Sequence, residues 1–155
     1  MTMTDTVDPT DRSPRQRWMA VLARASVDDL DRGWNALGDR PNFRFLRRPE
    51  VGLTMVRARA GGTGRRFNLS EMTVTRCVVE TGGGQVGHAY IAGRDIRKAE
   101  LAALFDALLQ DETRAPTVMR TIIEPLAEAQ ADGRKQKRAK VAATKVDFFT
   151  MVRGD

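Results

Sequence analysis

Apolar residues recur with the 3.6-residue period of an α-helix near the start of the chain. The first stripe occupies positions i, i+3, i+4 and i+7: Trp18, Val21, Leu22 and Ala25. A second, shorter helix is predicted over residues 27–37, with Ser26 as its N-cap and Gly38 at its end. The pattern therefore predicts two helices joined at a capped turn, after a flexible lead over residues 1–14.

Two more stripes with this period lie in the second half of the chain. They consist of Leu101, Leu104, Phe105 and Leu108, and of Met119, Ile122, Ile123 and Leu126. Asp95 is suited to cap the first of these helices, and Pro116 to occupy the first position of the second. Pro125 lacks the N–H group that a helix interior needs, so we expect the second helix to kink or end near Glu124.

Between these helices the pattern changes to β-branched and aromatic runs, which are typical of strands. Four runs are separated by PE, a glycine-rich loop and TGGG: FRFLRR, VGLTMVRARA, MTVTRCVVE and QVGHAYIAG. Short connections favour antiparallel neighbours, because a parallel crossover needs about a dozen residues or more. The predicted fold is α+β, a four-stranded antiparallel sheet with N-terminal and C-terminal helices.

Length and composition are consistent with one subunit domain over residues 15–155. The 155 residues suffice for a single hydrophobic core. Within this domain, residues 127–145 are polar and strongly basic, whereas residues 146–155 are apolar. No apolar run reaches the roughly 18 residues that cross a bilayer, and no signal-peptide pattern opens the chain. We therefore expect a cytoplasmic protein without a membrane segment.

The charge balance favours anionic partners. The chain has 26 basic and 20 acidic residues and a formal net charge of +6, which suits nucleotides, phosphorylated metabolites, nucleic acid or acidic protein surfaces. The densest basic run, GRKQKRAK over residues 133–140, has no aromatic residues interleaved for base stacking. A solvated basic helix or arm is the preferred interpretation. The alternative function is a stand-alone basic nucleotide- or nucleic-acid-binding module.

The loop GGTGRRFN is the candidate phosphate contact. Consecutive glycines expose backbone N–H groups, and arginines can add charge-assisted hydrogen bonds. The candidate residues are Gly61, Gly62, Gly64, Arg65 and Arg66. The Walker spacing is absent and the loop lies between strands, so a hairpin loop that needs positive φ is the alternative interpretation.

The single histidine and the single cysteine offer little catalytic chemistry. His88 shares a strand face with Val86 and Tyr90, where a general base is available at neutral pH. No nucleophile motif accompanies it, so a hydrogen-bonded structural histidine is the preferred interpretation. Cys77 is expected to be a small buried residue. These two residues alone cannot build a zinc site, and we expect neither a metal nor a catalytic residue in this chain.

The end of the chain, VDFFTMVRGD, is more apolar than most termini. Burial of each large apolar side chain contributes roughly 1.5–3 kcal/mol. Phe148, Phe149, Met151 and Val152 are therefore expected to be covered, either by this chain's own core or by another subunit. The final RGD triplet would act as an integrin ligand only in an exposed extracellular loop, and nothing in the sequence supports secretion.

Several segments, taken in order, resemble one known family. They are RQRWMAVLARA, GLTMVRARAGGTGRRFN, VTR, GRD followed by ALFDALL, and especially VDFFTMVRGD. In these segments the chain resembles the G subunit of the carbon–phosphorus lyase core complex, the PhnG family. The resemblance extends over residues 15–155, although the basic stretch near residues 127–140 contributes nothing to it.

The resemblance implies a bacterial protein of phosphonate metabolism that assembles with H, I and J subunits in a two-fold symmetric complex. With the H, I and L proteins, this family supports transfer of the ribose triphosphate moiety of ATP to methylphosphonate with release of adenine. ATP is then a substrate of the complex, and nucleosidase chemistry is attributed to the I subunit. This chain would be a structural component without cofactors. Its expected partner contacts are Phe148, Phe149, Met151 and Arg153.

Overall fold

Helices lie at both ends of residues 12–144, the part of the chain that this computed structural model describes, and a sheet lies between them. The first half contains α1 (Pro14–Arg24), α2 (Val27–Ala36), β1 (Phe43–Arg59), β2 (Arg66–Thr81) and β3 (Val86–Ala92). The second half contains α3 (Ile96–Leu108), α4 (Ala115–Val118), a π-helical turn (Met119–Ile123) and α5 (Glu124–Ala143). The predicted α+β class is confirmed.

Within residues 12–144 the sheet has three antiparallel strands in the order β1-β2-β3, whereas four were predicted for the runs in this region. The first two predicted runs form one strand, because Pro49 between them does not end it. Proline is tolerated in β1 because an edge strand can lack an N–H group without losing a ladder hydrogen bond. The pairing register is irregular between Arg47 and Glu50, where the ladder passes the proline.

The opening helices form as predicted, and serine side chains begin both of them. Ser13 and Gln16 form a reciprocal capping box at the start of α1. The Ser26 side chain accepts a hydrogen bond from the Asp29 N–H at 3.1 Å and so caps α2. Trp34 of α2 then packs edge-on against a phenylalanine of α3, with ring centroids 6.0 Å apart.

The core is built around α3, which packs on β2 and β3. The whole predicted stripe of this helix is buried, and so are the alanines between its members. These small residues let the helix approach the sheet closely at Gly87. A Cβ atom at Gly87 would lie 1.9 Å from the Ala103 carbonyl oxygen and 2.7 Å from the Ala107 nitrogen. Any larger residue at position 87 must therefore push α3 away from β3.

Pro125 does not end the C-terminal helix. The backbone stays helical through the π-helical turn and continues as α5 to Ala143. A proline ring clashes with the carbonyl group four residues earlier, here that of Thr121. The wider π-helical turn before Pro125 relieves this clash. Pro125 therefore changes the winding of the helix and does not end it. The predicted alternative of a helix end near Glu124 was wrong for this physical reason.

The basic segment continues α5 as a solvated helix. The Gln130 side chain donates a hydrogen bond to the Val21 carbonyl oxygen at 3.0 Å, which ties the first part of α5 to α1. From residue 132 to residue 144 every residue is exposed. A solvated helix was the preferred interpretation of this segment and is confirmed. The predicted contacts Phe148, Phe149, Met151 and Arg153 lie outside the described residues.

Candidate functional site: a projecting hairpin arm

β1 and β2 extend well beyond the third strand. β3 pairs with β2 only between Val74 and Glu80, whereas β1 pairs with β2 as far as Arg66. We call residues 51–73, which contain the unsupported part of both strands and their loop, the arm. At about 3.4 Å per residue, the arm is about 27 Å long.

The arm carries large apolar side chains that no described element covers. The most exposed are Leu53, at 61%, and Leu69, at 59%. The full set is Val51, Leu53, Met55, Phe67, Leu69 and Met72. The register places Leu53 opposite Thr73 on one face and Met72 opposite Thr54 on the other, so both faces are partly apolar. Such a concentration of exposed apolar groups is typical of an interaction surface.

The loop at the tip of the arm is a tight turn that requires glycine. Gly61 and Gly62 have φ of 58° and 80°, in the left-handed region. The Gly64 N–H donates to the Ala60 carbonyl oxygen at 2.9 Å, and a Cβ atom at Gly64 would lie 2.6 Å from that oxygen. The turn therefore accounts for these glycines, as the alternative interpretation of the loop predicted.

Arginines surround this turn, and among the described residues they have no carboxylate partners. The four are Arg57, Arg59, Arg65 and Arg66, and no ion pair between them and an acidic side chain occurs within residues 12–144. The sequence contains no acidic residue between Val51 and Ser70. Arg59 lies directly opposite Arg66 in the ladder, and like charges in this position are destabilising. The fold thus brings the predicted candidates together and adds Arg57 and Arg59 to them.

A second polar surface lies on the sheet face opposite α3. The register places Arg76 between Glu50 and Tyr90, and Arg76 Nη2 lies 3.0 Å from Glu50 Oε1. A shallow concavity of about 300 Å³ is present there, and its lining includes Met19, Arg47, Arg76, His88 and Tyr90. The Glu50 carboxylate already neutralises part of the positive charge on this surface.

His88 is exposed and has no buried position in the core. Its side chain is exposed on the same face as Tyr90, and no hydrogen bond of its imidazole occurs within residues 12–144. Its backbone N–H donates instead to Asp106 Oδ2 at 2.9 Å. The expected hydrogen bond of the imidazole is therefore not found among the described residues, where strand alternation turns this side chain away from the core.

Cys77 is buried beneath α3, as predicted. Burial, assisted by the negative charge of Glu100, raises the pKa of the Cys77 thiol to about 11. Because the thiolate is the nucleophilic form, this thiol stays protonated and unreactive at neutral pH.

Asp106 is the buried charged residue that sequence reasoning missed. Its carboxylate accepts hydrogen bonds from Arg15 Nη2 at 2.6 Å, from Arg15 Nε at 3.1 Å and from Trp18 Nε1 at 2.9 Å. The hydrogen bond to Asp106 raises the pKa of Arg15, against the opposing effect of desolvation. An aspartate inside the apolar sequence ALFDALL was the available signal, since such a charge must find partners.

The same ion pair protects the free edge of the sheet. Arg15 Nη2 also donates to the Val86 carbonyl oxygen at 3.2 Å, and Asp106 accepts from the His88 N–H. These backbone groups of β3 face away from β2, so side chains occupy the positions that another strand would take. The network therefore joins α1, α3 and β3, and its function is structural.

The described residues contain neither a cluster of metal-ligating side chains nor a membrane-spanning helix. No group of three or more potential metal ligands occurs within residues 12–144. Over the same residues, no helix combines the length and the apolar character needed to span a bilayer.

The fold and its surface together define an α+β protein of the kind that works inside an assembly, because its exposed apolar groups are concentrated on one projecting element. Comparison with known proteins is consistent with this class. The sequence model of a family described as phosphonate metabolism protein PhnG matches residues 13–154. The chain is also 43% identical over 150 residues to the alpha-D-ribose 1-methylphosphonate 5-triphosphate synthase subunit PhnG of Rhizobium meliloti (strain 1021), covering 97% of this chain and 96% of that protein. This chain belongs to the PhnG family.

Proposed function

We propose that this chain is the G subunit of an α-D-ribose 1-methylphosphonate 5-triphosphate synthase within a carbon–phosphorus lyase complex. The observation that carries the proposal is the 43% identity to a subunit of that name over 97% of the chain. The complex would transfer the ribose triphosphate moiety of ATP to methylphosphonate and release adenine. Its proposed partners are the H, I and J subunits in a two-fold symmetric cytoplasmic assembly, with the L protein as a functional partner.

Within this complex the chain acts as a structural component. Two features support this role. The Cys77 thiol is buried and protonated at neutral pH, and Asp106 is fully buried among partners that join the core elements. The first offers no nucleophile, and the second is out of reach of a substrate. The chemistry is accordingly assigned to other subunits.

The tip of the arm is the proposed contact with the triphosphate. Charge-assisted hydrogen bonds from Arg65 and Arg66 would neutralise phosphate oxygens. The opposed pair Arg59 and Arg66 supports this role, because an anion between two like charges removes their repulsion. The Gly61–Gly62–Gly64 turn brings these arginines together at one end of the arm.

The end of the chain is the proposed second contact with a partner subunit. Phe148, Phe149 and Met151 would supply apolar anchors, and Arg153 a charged one. The exposed helix over residues 132–144 directly precedes this segment and lacks buried residues. This arrangement supports docking on a partner.

Reconstitution tests the proposed function. The purified chain is mixed with its proposed H, I and L partners, ATP and methylphosphonate, and adenine release is measured. We expect release to depend on this chain, because the complex does not form correctly without it. Equal release from a mixture that lacks the chain would refute the proposed requirement.

A further inference from the structure

We propose that the arm inserts into an apolar groove on a neighbouring protein subunit, so that its stem is buried and its arginine tip lies at the anionic end of the groove. This inference rests on the proposed function, since the neighbour is a subunit of the same complex. Residues 51–56 and 67–73 form the stem, and residues 57–66, which include all four arginines, form the tip.

The exposed apolar groups on both faces of the stem favour a groove over a flat surface. Leu53 lies on one face of the ribbon and Met72 on the other, both exposed. A flat partner could cover only one of these faces, whereas a groove covers both. An isolated two-stranded ribbon is only marginally stable in water, so the arm also gains order from being enclosed.

The dimensions of the arm suit a specific protein interface. A ribbon about 27 Å long and about 10 Å across in each direction has about 1,100 Å² of lateral surface. One partner contributes about 800 Å² to a standard-size interface. The arm alone therefore offers enough area for stable docking.

The edges of the arm are open, whereas the outer edge of β3 is protected. Within the described residues β1 has no neighbour on its outer side, and β2 has none from Arg66 to Met72. In contrast, Arg15 and Asp106 form hydrogen bonds with outward-facing backbone groups of β3, the Val86 carbonyl oxygen and the His88 N–H. Open edges can form backbone hydrogen bonds with a partner, and natural proteins usually protect edges that stay free.

Charge complementarity separates a partner subunit from a second copy of this chain. The arm has no carboxylate between Val51 and Ser70, and the chain as a whole has a formal net charge of +6. Two arms packed together would bring eight arginines close to one another with only the two Glu71 carboxylates to offset them. A groove that ends at a bound triphosphate supplies the missing negative charge.

The test replaces apolar stem residues and measures assembly. In the full-length chain, Leu53→Thr and Leu69→Thr are combined, because threonine retains strand propensity while removing apolar area. Leu46→Thr is the matched control, since Leu46 is 50% exposed on β1, outside the arm. We expect the double variant to lower the affinity for the H, I and J subunits at least tenfold, with an unchanged melting temperature for the isolated chain. The control should bind like the wild type.

Hydrogen exchange provides a second measurement that needs no substitution. Backbone amides of residues 51–73 should exchange at least tenfold more slowly in the assembled complex than in the free chain. Unchanged exchange, or double-variant affinity equal to that of the control, would overturn the inference while leaving the proposed function intact. The inference would also be overturned if the double variant assembled normally with these subunits but lost a homodimer. The same holds if it assembled normally but lost oligonucleotide binding. A wild-type chain that does not bind these subunits at all would refute the proposed function, and the inference with it.

Discussion

Gly87 determines how closely the central helix approaches the sheet. Because it has no side chain, the backbone of β3 lies directly against the turns of α3 that contain Ala103 and Ala107. The obstacle to a larger residue is backbone, which cannot rotate away as the end of a flexible side chain could. The packing of the whole core therefore depends on this position.

Gly87→Ala should destabilise the fold strongly. We expect the free energy of unfolding to fall by about 3 kcal/mol, the upper part of the range for overpacked cores. The measurement is urea denaturation of the purified chain, followed by circular dichroism. Gly133→Ala is the control, because Gly133 lies in α5 with open space around it, and removing a helical glycine should add about 0.5–1 kcal/mol. Equal stability of the two variants would contradict the packing argument.

Asp106 and Arg15 show what a single sequence conceals at the residue scale. The two residues are 91 positions apart, and no local pattern connects them. Desolvation of the carboxylate is offset by several charge-assisted hydrogen bonds, a balance that depends on three elements meeting at one point. Removing Arg15 leaves the Asp106 carboxylate buried without its cationic partner. Removing Asp106 leaves part of the outer edge of β3 open.

At the scale of elements, the arm unites features that the sequence showed separately. The runs VGLTMVRARA and MTVTRCVVE were predicted as strands and GGTGRRFN as a glycine-rich loop with arginines, whereas β2 already begins at Arg66. The register shows that β1 and β2 extend beyond β3 and that Arg59 lies opposite Arg66. An element with an apolar stem and a cationic tip is the result.

Removal of two arginines at the tip should weaken use of ATP. Each lost charge-assisted hydrogen bond costs about 1.5–3 kcal/mol, so Arg65→Ala with Arg66→Ala should raise the KM for ATP at least about tenfold. The measurement is adenine release by the reconstituted complex at several ATP concentrations. Assembly of the complex should be unchanged.

A control for that experiment removes the same charge elsewhere. Lys137→Ala with Arg138→Ala lies in the exposed basic part of α5 and should leave the KM for ATP unaltered. If both pairs raise the KM equally, net charge is responsible and the tip has no specific contact. Salt-sensitive oligonucleotide binding that disappears only in the α5 pair would favour the nucleic-acid-binding alternative.

At the scale of the whole molecule, the exposed apolar and basic surfaces lie outside the packed body. The core is centred on α3, whereas the arm exposes most of its side chains and residues 132–143 of α5 expose all of theirs. Such a distribution is costly for a protein that works alone and suits an obligate subunit. Family membership and this exposed surface both support the proposal that the chain is a subunit of a complex.

Deletion of residues 146–155 should impair assembly before it impairs folding. The deleted segment contains the proposed anchors Phe148, Phe149 and Met151, which by this proposal contact a partner subunit. We expect the truncated chain to keep its melting temperature within a few degrees, while co-elution with the I subunit on size-exclusion chromatography is lost. A large fall in melting temperature would indicate that these residues belong to the chain's own core.

The sequence by itself determined the helices, the fold class and the family. Apolar periodicity, serine caps and β-branched runs are local features, and local physics is sufficient to predict what they form. The sequence could not determine that Pro49 lies inside one long strand, because tolerance of a proline depends on β1 being an edge strand of the sheet. Nor could it show that His88 is exposed, that Asp106 is paired, or that the arm is unsupported. Those facts depend on which residues distant in sequence become neighbours, and only the tertiary packing of α1, α3 and the sheet decides that.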